Sequence, residues 1–183
     1  MALTRAAIVG AGLDILDRYG LADVSMRRVA DALGVQAGAL YYHVPNKQSL
    51  LAAVADEILA DALAPADHPS LDDWVTAWAH TLRRALLAHR DAAELVASTR
   101  ALGLGAVDPC ADGRERLAAG GIAEPSATMA ALLHFVLGHV TQEQTAAQMA
   151  ALGLTPAPEP TAADRDFAWG VGLVVRGMTT AAA

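Results

Sequence analysis

The sequence predicts an all-α protein, built as a small helix-turn-helix unit followed by a larger helical body. Three observations carry this. Alanine, leucine and arginine, which favour helix, are abundant, while runs of Val, Ile, Thr and Tyr that would favour strands are scarce. Apolar residues recur at three- and four-residue spacing between Gly and Pro punctuation. Hydrophobic residues make up 54% of the 183, enough for a sizeable core, although only 4% are aromatic.

The elements follow in order. Thr4 caps a first helix whose apolar face is Ile8, Gly12, Ile15, Leu16 and Tyr19, and Gly20 stops it. Ser25 caps a second, Met26 to Leu33, which buries Val29, Ala30 and Leu33 before Gly34 ends it. A short third helix covers about 37–42. Pro45 breaks the chain, and Asn46 caps a fourth helix with Leu50, Leu51, Val54, Ile58 and Leu59 on its inward side. The stretch 64–70, with Pro65 and Pro69, is the joint between an N-terminal domain, 1–62, and a body, 70–183.

Ser70 with Asp72 and Asp73 starts a helix running to about His89, because acidic groups suit the positive end of the helix dipole. Trp74, Trp78, Leu82 and Leu86 lie close to one of its faces. Asp91 to about Leu102 is a shorter helix, 103–109 is broken, and 111–119 is helical again before the Gly120-Gly121 turn. Pro125 opens a long helix to about Ala151. Pro156, Pro158 and Pro160 mark a loop, and a last helix spans about 162–180. Its Gly170, Gly172 and Gly177 either permit close helix approach or merely weaken the helix.

The net charge of −7 is uneven. Residues 1–50 carry five basic and four acidic side chains, whereas the remainder carries eight and sixteen. Only the first part is therefore a plausible polyanion binder. A single cysteine, Cys110, excludes an internal disulfide and a multi-cysteine zinc site, which suits a reducing cytoplasm. The N-terminus has no signal-peptide layout. The longest apolar run, about 127–140, is too short to span a membrane and is broken by His134. The expected location is the cytoplasm, without membrane attachment.

The informative stretch is 26–44, MRRVADALGVQAGALYYHV: a helix, a glycine turn and a short helix. Ala30 is small where two helices cross, Gly34 permits the left-handed turn, and Val35 plugs the space beneath it. Leu40 anchors the second helix. Gln36, Ala37, Ala39, Tyr41 and His43 are left facing outward, where they can enter a major groove. On spacing alone, DNA binding stays one reading among several.

Residues 4–62 resemble the DNA-binding domain of the TetR family of bacterial regulators. The match lies in the Gly20 stop, in MRRVADALGV, and in ALYYHVPNKQSLL at 39–51, which is similar to the family's LYxHFxxKxxLL pattern. Two body segments, LRRALLAHRD at 82–91 and HFVLGHVTQEQ at 134–144, resemble the tetracycline-repressor subgroup. The resemblance implies that double-stranded operator DNA is a partner. Arg27 would contact a base or phosphate, Gln36, Ala37, Gly38 and Ala39 would begin the recognition helix, and Tyr41, Tyr42 and His43 would follow. The tetracycline repressors carry longer polar residues and a proline where this chain has Ala37, Gly38 and Ala39, so a different operator is expected. Lys47, the only lysine, stands one residue after the Asn46 cap and would share a phosphate with the helix N-terminus. Without the family pattern it is an ordinary surface lysine.

The resemblance further implies a homodimer, paired through the last two long helices, and a small-molecule effector held in the body. Both helices are apolar beyond what one core-facing stripe needs. Val96, Gln142 and Leu63 stand where the tetracycline repressors have a magnesium-ligating histidine, a magnesium-linked glutamate and a drug-binding histidine. Neither magnesium-tetracycline nor any other metal or cofactor is therefore expected. The candidate lining is Trp78, Leu82, Val96, Thr99, Arg100, Leu133, His134, Leu137, Gly138, Thr141 and Gln142, each equally open to a plain core or dimer role. Trp74 and Trp78 can stack on a flat ligand or simply pack. Arg100 can hold a ligand anion or pair with a nearby acid. His139 and Glu143, four apart, are too few for a metal site.

An all-α enzyme is the rival class, and no phosphate loop, nucleophile motif or metal-ligand set supports it. His89, Asp91 and Glu94 come nearest to an acid–base group, but such residues normally occupy solvated helix faces. A regulator that senses no ligand, or that works with a protein partner, is the second rival.

Overall fold

The computed structural model describes residues 3–62 and 68–182. Among these residues every regular element is helical. The chain divides into two compact units, Met1–Asp61 with Ala85–Val107, and Ala62–Arg84 with Asp108–Ala183. Sequence punctuation placed the joint at 64–70; of that stretch Pro65 lies outside the described residues, as does Leu63.

In the first unit, α1 spans Arg5–Tyr19, and the Thr4 side chain accepts a hydrogen bond from the Ala7 N–H at 3.2 Å. Ile8, Val9, Gly12, Ile15 and Leu16 face inward. A Cβ on Gly12 would lie 3.0 Å from Val54 Cγ2, so that glycine lets α1 approach α4, Lys47–Ala62, closely. Tyr19 departs from the expected apolar face. It is 48% exposed, and its ring lies under the Arg28 guanidinium, 4.0 Å away.

Next come α2, Met26–Leu33, and α3, Ala37–Leu40. Ser25 Oγ caps α2 from the Arg28 N–H at 3.2 Å. Gly34, at φ 66°, makes the left-handed turn that joins the two helices. Met26, Val29 and Ala30 are buried, whereas Leu33 is only half-buried. The third helix is shorter than expected. His43 and Val44 both donate to the Leu40 carbonyl at 2.9 Å, and this tight turn ends it before Tyr41. α4 is capped as expected, with Asn46 Oδ1 accepting from the Ser49 N–H at 2.8 Å.

Residues 85–107 pack with these helices. They include the last turn of α5, Leu71–Leu87, and all of α6, Ala92–Ala101. Three carboxylates make the attachment. Asp91 Oδ2 accepts from the Leu21 N–H at 2.8 Å, Asp17 lies 3.1 Å from His89 Nδ1, and Asp56 accepts from the Ala106 and Val107 N–H groups at 2.9 Å. His89 and Asp91 are thus engaged with α1 and the turn after it, not free on a solvated face.

The second unit contains most of α5 with α7, Ala111–Ala119, α8, Pro125–Ala151, and α9, Pro160–Ala182. Ser70 Oγ accepts from the Asp73 N–H and donates to the Asp73 carboxylate, a reciprocal cap for α5. Pro125 opens α8 as expected. α9 begins two residues earlier than expected, at Pro160. Trp74, Trp78, Leu82, Leu117, Met129, Leu133, Val136 and Phe167 form the core of this unit. Of the three glycines of α9, Gly170 permits a close helix approach, whereas a Cβ on Gly177 would meet nothing within 4 Å. A Cβ on Gly170 would fall 2.3 Å from the Phe135 ring, so the space it leaves is what lets α9 lie against α8.

Candidate nucleic-acid interface

The interface is built on four buried side chains and an exposed edge. Val29, Ala30, Leu40 and Val44 are almost wholly buried and hold α2 and α3 in place. Opposite them, Gln36, Gly38, Tyr41, Tyr42 and His43 are exposed, with Ala37 and Ala39 half-buried at their flank. The predicted residues therefore lie on the outer side of the segment, around the buried Leu40. Tyr42 is the extreme case at 93% exposed, a position with no packing role. Gln36 precedes α3 in extended conformation and makes no side-chain capping bond, which leaves its amide available to a partner.

The two arginines at the start of α2 are unlike each other. Arg27 is exposed. Arg28 turns back, pairing with Asp23 and covering Tyr19, and it lines a groove of about 570 Å³ between α1 and α2. Of the pair, Arg27 is the one that points to solvent, while Arg28 is engaged within the unit. Lys47 is the first residue of α4, half-exposed, beside the Asn46 cap. Its ammonium and the unpaired N–H groups of the first helical turn can meet the same phosphate.

A match to the family model "Bacterial regulatory proteins, tetR family" covers residues 8–54, and one to "Tetracyclin repressor-like, C-terminal domain" covers residues 64–163. The chain belongs to the TetR family. It is 35% identical over 154 residues to the tetracycline repressor protein class C of Escherichia coli, spanning 78% of this chain and 67% of that one. The crystal structure of Mycobacterium smegmatis BioQ superposes with a TM-score of 0.87 at 35% identity, covering 98% of this chain and 99% of that one. A structure of BioQ with its double-stranded DNA operator superposes with a TM-score of 0.83 at 34% identity, over 97% and 98% of the two chains. This TetR-family chain is accordingly a DNA-binding transcriptional regulator, from a family of regulators and not of enzymes. No described helix is long and apolar enough to cross a membrane.

The expected effector-lining residues do not gather in one unit. Val96 and Thr99, both buried, and half-buried Arg100 belong to α6 in the first unit. Trp78, Leu82, Leu133 and Leu137 are buried in the second. The Trp78 Nε1–H donates to the Pro109 carbonyl at 2.9 Å, so its polar edge is already satisfied. His134, Gly138, Thr141 and Gln142 lie on the exposed side of α8, and the Thr141 hydroxyl donates to the Leu137 carbonyl. Buried Val96 offers no oxygen or nitrogen to a metal, and exposed Gln142 is uncharged. The residues at these positions do not fit the magnesium of a drug chelate.

The sequence reading missed a polar cluster in the second unit. Arg83, only 9% exposed, donates from Nε and Nη2 to the two Glu143 oxygens at 2.7 Å each, and from Nη1 to Asp164 at 2.7 Å. The hydrogen bonds to Glu143 first, and to Asp164 next, push the Arg83 guanidinium up from its ordinary value. His80 and His139 pack on Phe167, and His139 also lies against Phe135. Burial and then the Arg83 charge hold the His80 imidazole below its ordinary value. The available signal was the four-residue repeat Phe135, His139, Glu143, which lays a polar edge along one side of an apolar helix.

Proposed function

We propose that this regulator is a homodimeric repressor, released from its operator by a small apolar or aromatic effector and not by magnesium-tetracycline. The observation that carries the reading is the outward surface of Arg27, Gln36–Ala39, Tyr41–His43 and Lys47, on a motif whose relative BioQ has been seen on its operator. Dimerisation is supported by large apolar side chains left in water on α9, where Trp169 is 65% and Leu173 is 53% exposed. On α8, His134, Gly138 and Thr141 are likewise exposed. We assign the effector to the body, with Trp78, Leu82, Leu133 and Leu137, buried and apolar, among its candidate contacts. The apolar character of these residues is the reason for expecting an effector that carries little charge.

A mobility-shift assay on DNA flanking the protein's own gene, repeated with a panel of apolar and aromatic natural products, tests this. The expected result is a shift that at least one compound abolishes. No shift at low salt would remove the operator reading, and a shift that no compound of the panel alters would remove the effector reading.

A further inference from the structure

The groove between α1 and α2 has an apolar floor that includes Ala11, Ala32 and Leu33, and four charged side chains also line it. On each helix an acid and a base stand about one turn apart, Asp14 with Arg18 on α1 and Asp31 with Arg28 on α2. Both arginines lie towards the end closed by the stack of Arg28 on Tyr19. Arg28 is paired with Asp23. The side chains of Asp14, Arg18 and Asp31 are exposed and form no hydrogen bond or ion pair with the described residues. Asp14 and Arg18 thus stay apart although their spacing suits a pair. A patch with an acidic stretch beside a basic one complements itself. A two-fold rotation lays the acids of one copy over the arginines of another, in both directions.

We infer, resting on the DNA-binding reading, that this groove docks a second copy of the chain seated on a neighbouring DNA site. Arg18 of each copy enters the groove of the other, with its stem along the alanines and its guanidinium between Asp14 and Asp31. Neither Arg27, Lys47 nor any residue of 36–43 lines the groove, so a copy engaged there keeps its DNA-contacting edge free. The contact is separate from the exposed side chains of α8 and α9 that support the homodimer. Its consequence is cooperative occupation of paired sites.

The test begins with selection of duplexes from a randomised library by the full-length protein. The enriched site is then placed once, or twice at spacings increased one base pair at a time, and binding is followed by mobility shift at fixed salt. The readout is the ratio of second-site to first-site affinity, which cancels any effect of a charge change on DNA binding itself. For the wild type it should reach about fivefold or more, the sum of two exposed ion pairs. It should recur about every 10.5 base pairs, as the two sites return to one face of the duplex. Arg18→Asp leaves only acids at these two positions of α1, and Asp14→Arg leaves only bases. Each should bring the ratio to about one. An equimolar mixture of the two variants should restore it, because each supplies the charge that the other lacks. Gly10→Gln should abolish it too. Gly10 lines the groove and a Cβ there meets nothing within 4 Å, so the chain accepts the longer side chain, which then blocks the approach. A wild-type ratio near one at every spacing, a ratio unchanged in any of the three variants, or a mixture no better than its components would overturn the inference and leave DNA binding intact. Failure to enrich any duplex would instead overturn the DNA-binding reading, and this inference with it.

Discussion

Arg83 and Glu143 face each other through two parallel hydrogen bonds of 2.7 Å, joining α5 to α8 inside the second unit. The side chains are 11% and 17% exposed, so both charges have left most of their water. Such a pair is tolerated because the planar guanidinium matches both carboxylate oxygens at once. Asp164, from α9, takes a third N–H, so one arginine ties three helices together.

Arg83→Ala should cost about 2 to 4 kcal/mol, because it strands the Glu143 carboxylate in a half-dry site. Arg83→Lys should recover only part of this, since an ammonium cannot serve both oxygens in one plane. Thermal unfolding monitored by circular dichroism measures both. An Arg83→Ala melting point equal to that of the wild type would show that the cluster contributes nothing to stability.

Stability should also depend on pH through His80. Its folded-state pKa lies below the ordinary histidine value, so below about pH 6.5 the unfolded chain takes up a proton that the folded chain resists. This contribution is fully present above that value and is lost as pH falls towards the folded pKa. Urea midpoints between pH 5 and 7.5 should decline on the acid side, and His80→Gln should flatten that decline. An unchanged slope in the variant would assign the decline to other groups.

Gly20→Ala should destabilise the first unit by about 1 to 3 kcal/mol. Gly20 sits at φ 92°, and a Cβ there would fall 2.7 Å from Asp91 Oδ2, the oxygen that accepts from the Leu21 N–H. The variant must both strain its backbone and loosen the hold of Asp91 on the turn after α1. Hydrogen exchange at the Leu21 amide reports the second effect directly. Retained protection there would contradict it.

Lys47→Ala should weaken binding to all DNA sequences alike and reduce the steepness of its salt dependence by about one unit. Arg27→Ala should behave likewise if Arg27 holds a phosphate, and should alter sequence preference if it holds a base. Affinities at four salt concentrations, on specific and random duplexes, separate these outcomes. A Lys47→Ala slope equal to that of the wild type would remove the phosphate contact.

The all-α class, the helix starts at Thr4, Ser25, Asn46, Ser70 and Pro125, and the exposed edge at 36–43 were legible in the amino-acid order. They depend on caps, turns and periodicity, which act within a few residues of one another. The helix-turn-helix itself was legible for the same reason, because it is one contiguous stretch. The Arg83–Glu143–Asp164 cluster was not, since its members stand 60 and 81 positions apart from Arg83 and only packing brings them together. Packing also decided that Tyr19 lies outward beneath Arg28, and that residues 85–107 join the N-terminal helices through Asp17, Asp56 and Asp91. A carboxylate reads the same in sequence whether it meets water or a distant N–H, and only the folded chain distinguishes the two.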